Sequence, residues 1–451
     1  MTRVLLLVLL AIAQASEPPA PAPPAVAPSQ AAPEALTLKG ADLQLLATVR
    51  RISKQVEAIR EQKFHRPPVA VRTPDHMREV AATIRALNVL RRDRLDARGR
   101  AWADLGLGSP SSPETLYIAL AADLDGIGFD PQGNRLLVAP DRLTEDDFAA
   151  ETDEDDERST VLMETGVRVD EPVLCHLLMH VRQRERAGGD SLAETTDALL
   201  ARSAWNEGEA NLVAIRFLFA GMGLADGVLE ESLDPAVVLN GELVPTIYNQ
   251  LSGSERALVS FVYDEGFATA VDIFRSGGWE ALDKAIVERP TTRDLIHRDR
   301  KPIVADPCEV GAPPQVDGLT LVDQDTVGEQ GIFVLVSVLT GKDNLALLAG
   351  DGWAGDRLYR WEGDGPDKTG VTLWVSRWTE DQGAKDFDYA IMRTLEGRFP
   401  DRPPITLEGG ERVIQTSTHL YRLTRDGREV RFQVSAREFD SLPTGVVSGA
   451  S

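Results

Sequence analysis

Cysteine is nearly absent: the chain of 451 residues holds two, Cys175 and Cys308. A small disulfide-stapled scaffold is excluded, because such folds use several bridges in place of a core. An oxidising compartment would permit these two thiols to pair; the alternative is a buried free thiol at Cys175. Long apolar runs are also missing. After the opening residues no segment offers the roughly 18 unbroken apolar residues of a spanning helix, so no integral membrane segment is expected once a signal is removed. Basic residues are in deficit, 48 Lys and Arg against 71 Asp and Glu, for a net charge of −23. So acidic a chain is ill suited to a phosphate backbone, and nucleic acid is not an expected partner. No glycine-rich phosphate loop is present, no serine or cysteine lies in a nucleophile context, and no internal repeat occurs; GDGW, residues 350–353, reads as a turn.

What is present suits a globular protein with a real core: 43% of residues are apolar, and the length allows two or three domains. The opening MTRVLLLVLLAIAQAS carries Arg3, an apolar run from Val4 to Ala13, and small residues at Ala13 and Ala15. It reads as a secretory signal, residues 1–16, too short to span a bilayer. No cysteine for lipid attachment follows, so the expected location is secreted or periplasmic. Residues 17–36, EPPAPAPPAVAPSQAAPEAL, are nearly all proline, alanine and small polar residues and are expected to form an extended linker.

Leu45, Val49, Ile52, Val56 and Ile59 alternate at four- and three-residue spacing and predict a helix that stops before Pro67-Pro68. PPVAVRT predicts a short strand, and a second helical stretch is expected from about His76 to Ala103. GIGFDPQGNRLLVAP, residues 126–140, predicts a β-hairpin. The acidic run at residues 145–158 lacks the ligand spacing of a calcium loop and reads as a solvated surface segment. From 172 to about 300 the chain reads as helical, broken at Gly188-Gly189, Gly221-Met222-Gly223 and Gly277-Gly278. Pro302, Pro307 and Pro313-Pro314 then punctuate a linker. Beyond it GIFVLVSVLT, DRLYRWEG, VTLWVSRW, THLYRLTRD and REVRFQVS predict strands, and DQGAKDFDYAIMRTLEG predicts an amphipathic helix. The expected fold is α+β. A mainly helical domain with a small hairpin sheet covers 37–305, a smaller sheet-rich α+β domain covers 306–443, and 444–451 form a tail.

VLCHLLMHVRQ, residues 173–183, places His176 and His180 four residues apart. On a helix they lie about 40° apart in projection and one turn apart along the axis, within reach of one ion. Taken alone the pair reads first as a structural feature, since Val173, Leu174, Leu177, Leu178 and Val181 make a good buried face. A third ligand must come from elsewhere, and WNEGEANLV, residues 205–213, supplies a candidate. Glu207 falls in line with Leu200, Ala204, Ala214 and Leu218, and a carboxylate in an apolar stripe costs several kcal/mol unless it is paired or metal-bound. Glu209 shares a face with Trp205, Leu212 and Arg216, where a salt bridge can satisfy it without metal.

HLLMHVRQ followed by NEGEA resembles a gluzincin, a zinc peptidase whose H-E-x-x-H helix is completed by a glutamate from a second helix. More closely, it is similar to a family of secreted or surface-attached bacterial and archaeal zincin-like proteins, whose helices read roughly H-E-L-x-H-A-L-Q-D-Q and V-E-G-E/D-A. GFDPQGNRLLV, GFATAVDIFRSGGWEALDKAIVERPTTRDLIH, DGWAGDR and VTLWVSRW fit the same family, and the resemblance spans about residues 42–440. It implies that 37–305 is a zincin-like domain with zinc ligands His176, His180 and Glu207.

Two departures matter. Leu177 stands where the catalytic glutamate belongs, and Arg184 stands where the family usually has an acidic residue. Leucine can neither accept a proton from metal-bound water nor pass one to a leaving amine. Glu171, Glu185 and Glu209 are not placed by spacing to replace it. Tyr263 and His297 are candidates to stabilise an oxyanion, with structural or surface roles as the alternative. His65 and His76 flank a proline-rich turn and His419 sits in a predicted strand; none belongs to a ligand set. The expected function is that of a degenerate zinc-peptidase-like protein, acting in binding or structure on a protein or peptide ligand. The alternatives are an active zinc hydrolase with a non-standard base and a metal-free binding scaffold.

Overall fold

Leu45, Val49, Ile52 and Val56, each 1% exposed or less, form the buried stripe of helix α1 (Gly40–Arg60) in the computed structural model. The structure describes residues 40–121, 127–130, 135–140, 170–187, 193–221, 251–300 and 313–436. The expected signal, linker, acidic run and tail lie outside these, as do the breaks at Gly188-Gly189 and Met222-Gly223, and Pro302, Pro307 and Cys308.

After α1 comes β1 (Val69–Arg72), the strand expected in PPVAVRT. It runs parallel to β3 (Arg135–Val138), which pairs antiparallel with β2 (Ile127–Asp130) in the register Asp130↔Arg135. The hairpin is present, and β1 extends it to a mixed three-stranded sheet. The single helical stretch expected over 76–103 divides into α2 (Asp75–Val89) and α3 (Arg92–Leu105). Leu90 is extended between them, φ −137°, and is buried with Leu95 and Tyr117 in one small cluster, which an unbroken helix would not allow. A further helix, α4 (Ser112–Ala121), was not expected.

Three long helices follow: α5 (Asp170–Ala187), α6 (Thr196–Gly221) and α7 (Gly253–Glu288). The Ser252 side chain and Glu255 form a reciprocal capping box at the start of α7, and Gly277 and Gly278 interrupt it where the sequence marks a break. The backbones of α6 and α7 meet closely. A Cβ on Gly208 would lie 2.1 Å from the Gly266 carbonyl oxygen, and one on Gly266 would lie 2.2 Å from that of Ala204. A short helix α8 (Thr292–Ile296) ends this part.

The carboxy-terminal part runs β4 (Thr320–Asp325), α9 (Gly328–Thr340), α10 (Asp343–Gly350), β5 (Trp353–Glu362), β6 (Gly370–Trp378) and α11 (Asp381–Arg398). Strands β7 (Ile405–Thr406), β8 (Arg412–Gln415), β9 (His419–Asp426) and β10 (Glu429–Ala436) complete it. The sheet is antiparallel in the order β4-β5-β6-β10-β9-β8-β7, so the fold is α+β.

GIFVLVSVLT, expected as a strand, is helix α9. A short apolar run has no period that separates a buried strand from a buried helix. Here the Asp356 carboxylate on β5 accepts the Val327 and Gly328 backbone N–H groups at 2.8 and 2.9 Å, which satisfies the first turn from outside the helix.

Residues 41–451 cluster as one compact unit. Its helical and sheet-rich parts are joined by buried polar groups. Arg98 of α3, fully buried, donates to Asp323 at 2.9 and 3.2 Å, to the Gln324 carbonyl at 2.9 Å and to Tyr117 Oη at 2.7 Å. Asp325 accepts both the N–H and the hydroxyl of Thr196 at 2.7 Å, tying β4 to the start of α6. Asp197 donates its backbone N–H across the joint to the Thr326 carbonyl at 2.9 Å, and within the helical part its carboxylate accepts the Thr292 N–H at 3.0 Å and hydroxyl at 2.5 Å.

Burial pushes the Asp197 carboxyl up to about 7 against the pull of its Thr292 hydrogen bonds, with repulsion from Asp356 and Asp294 adding to the rise. The folded state then holds this proton after the unfolded chain has lost it. Its contribution to stability is largest below about pH 4, falls as pH rises to about 7, and is constant above that. Asp197→Asn should flatten the stability profile over that window by up to about 1.4 kcal/mol per pH unit. Urea denaturation across pH 4–8 measures it, and an unchanged slope would refute the assignment.

Candidate metal centre

Helix α5 is buried along almost its whole length, and its periodicity turns His176 and His180 to the same side. Helix α6 packs against it and brings up Glu207, one residue before the glycine that sets the α6–α7 spacing. The two Nε2 atoms stand 2.9 Å apart. Glu207 Oε2 is 3.2 Å from His176 Nε2, and Oε1 is 3.4 Å from His180 Nε2. Among the described residues these three form the one group of this kind whose ligand atoms converge closely enough to hold a metal ion. Donors bound tetrahedrally at about 2.0–2.2 Å from one ion stand roughly 3.3–3.6 Å apart, close to the separations seen.

The next layer of contacts decides which imidazole nitrogens carry protons. Glu209 is fully buried and accepts from Arg60 Nε at 2.8 Å, Arg186 Nη2 at 3.0 Å and Gln183 Nε2 at 3.0 Å. The Gln183 amide also donates to the Asn206 carbonyl at 2.8 Å. With its NH₂ end committed to two acceptors, Gln183 presents Oε1 to His180 Nδ1 at 2.8 Å. His180 must therefore be protonated at Nδ1, which leaves the Nε2 lone pair bare and aimed at His176 and Glu207. Two bare imidazole nitrogens 2.9 Å apart repel unless a proton or a metal ion lies between them. The donor set fits a cation.

His176 is 1% exposed. Its Nδ1 and the Asn211 Oδ1 are both buried without a hydrogen bond of normal geometry, yet the two side chains interact. Burial, and then the neighbouring His180, press the His176 ring towards its neutral form, against the pull of Glu207 and Asn211. For Glu207 burial alone would raise the carboxyl; when a proton and not a metal ion occupies the site, the charge it puts on His180 and the hydrogen bonds from the rings hold the carboxyl well below the usual carboxylate range. A neutral imidazole and an ionised carboxylate are the forms that bind metal. Glu209 follows the same logic: burial opposes ionisation, and Arg186 and Arg60 overcome it.

Leu177 is 1% exposed and packs within the main apolar core. The other carboxylates of the helix are engaged elsewhere. Glu171 pairs with Arg51, and Glu185 accepts the backbone N–H groups of His65 and Arg66 at 2.9 and 3.2 Å. Glu209 does form the salt bridge that its position suggests, with Arg60 and Arg186 in place of Arg216. Arg216 lies over the rings of Phe274 and Trp279. Tyr263 is partly buried against the core on α7, and His297 bonds to Glu329 Oε1 at 2.7 Å. Neither belongs to the converging group, nor does His419, which begins β9. Cys175 is a free thiol, fully buried, and burial pushes its pKa up. Gln183, Asn211, Arg60 and Arg186 were not singled out from sequence. Gln183 alone carries a local signal, three residues after His180 on the same helical face.

Residues 318–444 match the family model described as Domain of unknown function (DUF8575). The match holds the seven-stranded sheet with α9, α10 and α11, and contains none of the converging residues. No curated protein and no solved structure matches the chain.

Arg60 is 1% exposed and depends on Glu209 for its charge balance, with Asp283 as a second partner. Glu209→Gln should destabilise the metal-free protein by about 3 kcal/mol, because it leaves buried guanidinium charge uncompensated. Glu209's own contribution is present above the unfolded carboxylate pKa and is lost as pH falls through its lowered folded value. Urea denaturation in chelator at pH 7 measures the cost, and a loss under about 1 kcal/mol would show that the network carries little of the fold.

Proposed function

We propose that this protein is an exported, zincin-like protein that retains a His176/His180/Glu207 zinc site and lacks the base of a peptidase, so that the metal serves binding or structure. The observation that carries this reading is the convergence of three donors, one of which, His180, has its tautomer set by the Glu209–Gln183 chain. Two imidazoles and one carboxylate in an apolar setting suit zinc better than calcium or magnesium, which prefer oxygen ligands. Export rests on the signal-like residues 1–16 and on the resemblance of the histidine helices to secreted zincin-like proteins.

Zinc with three protein ligands supplies a Lewis acid and lowers the pKa of bound water towards about 7. Among the described residues no group is placed to use that water. Leu177 cannot accept or return a proton, and Glu171, Glu185 and Glu209 are held by Arg51, by two backbone N–H groups and by Arg60 with Arg186. What remains is a clamp: the ligands lie on α5 and α6, and holding both to one ion stabilises their packing. The fourth coordination position is the natural place for a carboxylate or carbonyl of a protein or peptide ligand.

Protein purified without chelator should contain about one zinc per chain. His176→Ala and Glu207→Gln should each bring this near zero, and wild type below about 0.2 per chain would sink the retained-site reading. Leu177→Glu should raise peptide hydrolysis roughly 10²-fold or more over a wild type at background. Leu177→Gln reports whether a polar side chain is tolerated there at all. A wild type already as active as Leu177→Glu would show that another base works.

A further inference from the structure

A cavity of about 500 Å³ opens where the carboxy-terminal ends of α3 and α11 meet the turn between β8 and β9, within the compact unit and apart from the metal centre. Its charge runs against that of the chain as a whole, which is −23. Arg398 and Arg402 both line it. Arg398 donates to the backbone carbonyls of Asp104 at 3.0 Å and Ala103 at 3.2 Å, neutral partners that orient its guanidinium, and the Asp104 carboxylate, which pairs with Arg360, also feels its charge. Its plane also lies over the rings of Phe399 and Tyr421, 5.2 and 5.8 Å from their centres, which fixes it further. Arg402 is exposed to the cavity, and among the described residues its side chain makes no hydrogen bond or ion pair.

The single acidic lining residue is already matched. Asp104 Oδ2 accepts Arg360 Nη1 at 2.8 Å and the Thr372 hydroxyl at 2.6 Å. Tyr421 adds a hydroxyl: the residue is 4% exposed and lines the cavity, and its Oη has no hydrogen-bond partner among the described residues. His419 Nδ1 meets Thr418 Oγ1 at 2.9 Å on the same wall. A second cavity of about 450 Å³, beside β4, shows the contrast. There the lining Arg94 is matched by Glu194 at 3.2 Å and Asp323 at 3.1 Å, Arg357 bonds to the Thr326 hydroxyl, and three carboxylates, Glu194, Asp323 and Asp325, share the wall.

We infer that the cavity at Arg398 and Arg402 is a binding site for a small organic anion, its carboxylate or phosphate held by the two guanidinium groups and the Tyr421 hydroxyl. Guanidinium presents paired N–H donors that match both oxyanions. The volume suits one small molecule, not a polymer. The aromatic pair Phe399 and Tyr421, 4.9 Å apart, gives an apolar wall for the rest of such a ligand. The site needs neither zinc nor the metal-centre residues, so it stands whether or not that centre binds metal.

Calorimetric titration of the full chain with inorganic phosphate and with citrate, at fixed ionic strength, tests the inference, with glucose as an uncharged probe. Saturable one-site binding of phosphate alone assigns a phosphate head, of citrate alone a carboxylate head, and of both the shared oxyanion chemistry. In each case Arg402→Gln should weaken binding at least tenfold, and Arg402→Lys, which keeps the charge, by about threefold. Thermal unfolding of these two variants should match wild type, since the Arg402 side chain makes no contact that the fold uses. No saturable binding of either anion up to about 10 mM, binding indifferent to Arg402→Gln, or equal binding of glucose would overturn it.

Discussion

The buried carboxylate of Glu209 is the constraint on which the metal centre rests. It gathers Arg60 from α1, Arg186 and Gln183 from α5, and its own helix α6 around one ionised group with no access to water. Such a group is tolerable only when every lone pair is answered, so the three helices have little freedom to slide. The same answer sets the chemistry. Because the carboxylate can only accept, Gln183 must turn its amide nitrogen inward, and His180 is left with its coordinating nitrogen bare. Stability and ligand orientation thus come from one network and cannot be altered separately.

Much of this was legible in the sequence where spacing alone carries the information. The α1 stripe, the hairpin of β2 and β3, the break at Gly277-Gly278, and the helix of DQGAKDFDYAIMRTLEG follow from periodicity and turn chemistry. So did the three converging residues, since a carboxylate in the apolar stripe of α6 has to find a partner. What was not legible depends on groups far apart in the chain. The helix at 328–340 is started by Asp356, some thirty positions later, and nothing within GIFVLVSVLT announces it. Arg60 reaches Glu209 across roughly 150 residues, beyond any local pattern. The split between α2 and α3 arises because Leu90 and Leu95 must enter one cluster, a demand of packing and not of propensity.

The joint between the helical and sheet-rich parts follows another principle. Arg98, Asp323, Asp325, Asp197 and Asp356 are all buried; the first three bond across the joint, while the Asp197 carboxylate holds Thr292 within the helical part and that of Asp356 holds the start of α9 within the sheet-rich part. Replacing any one with an apolar side chain would strand its partners, so this surface selects one docking arrangement more sharply than apolar contact alone would. The family match over 318–444 begins on the sheet side of that joint. A chain carrying that region without α3 and the start of α6 would have to answer Asp323 and Asp325 in some other way.

The contact of Gly208 with Gly266 has a bearing on the metal centre that no polar group reveals. Main chain touches main chain there, with no side chain between that could rotate or compress. The distance between α6 and α7 is consequently a fixed gauge, and Glu207, the neighbouring residue, inherits its position from it. A coordination site tolerates errors of only a few tenths of an ångström, and in this chain that tolerance is guarded by two residues with no side chain at all.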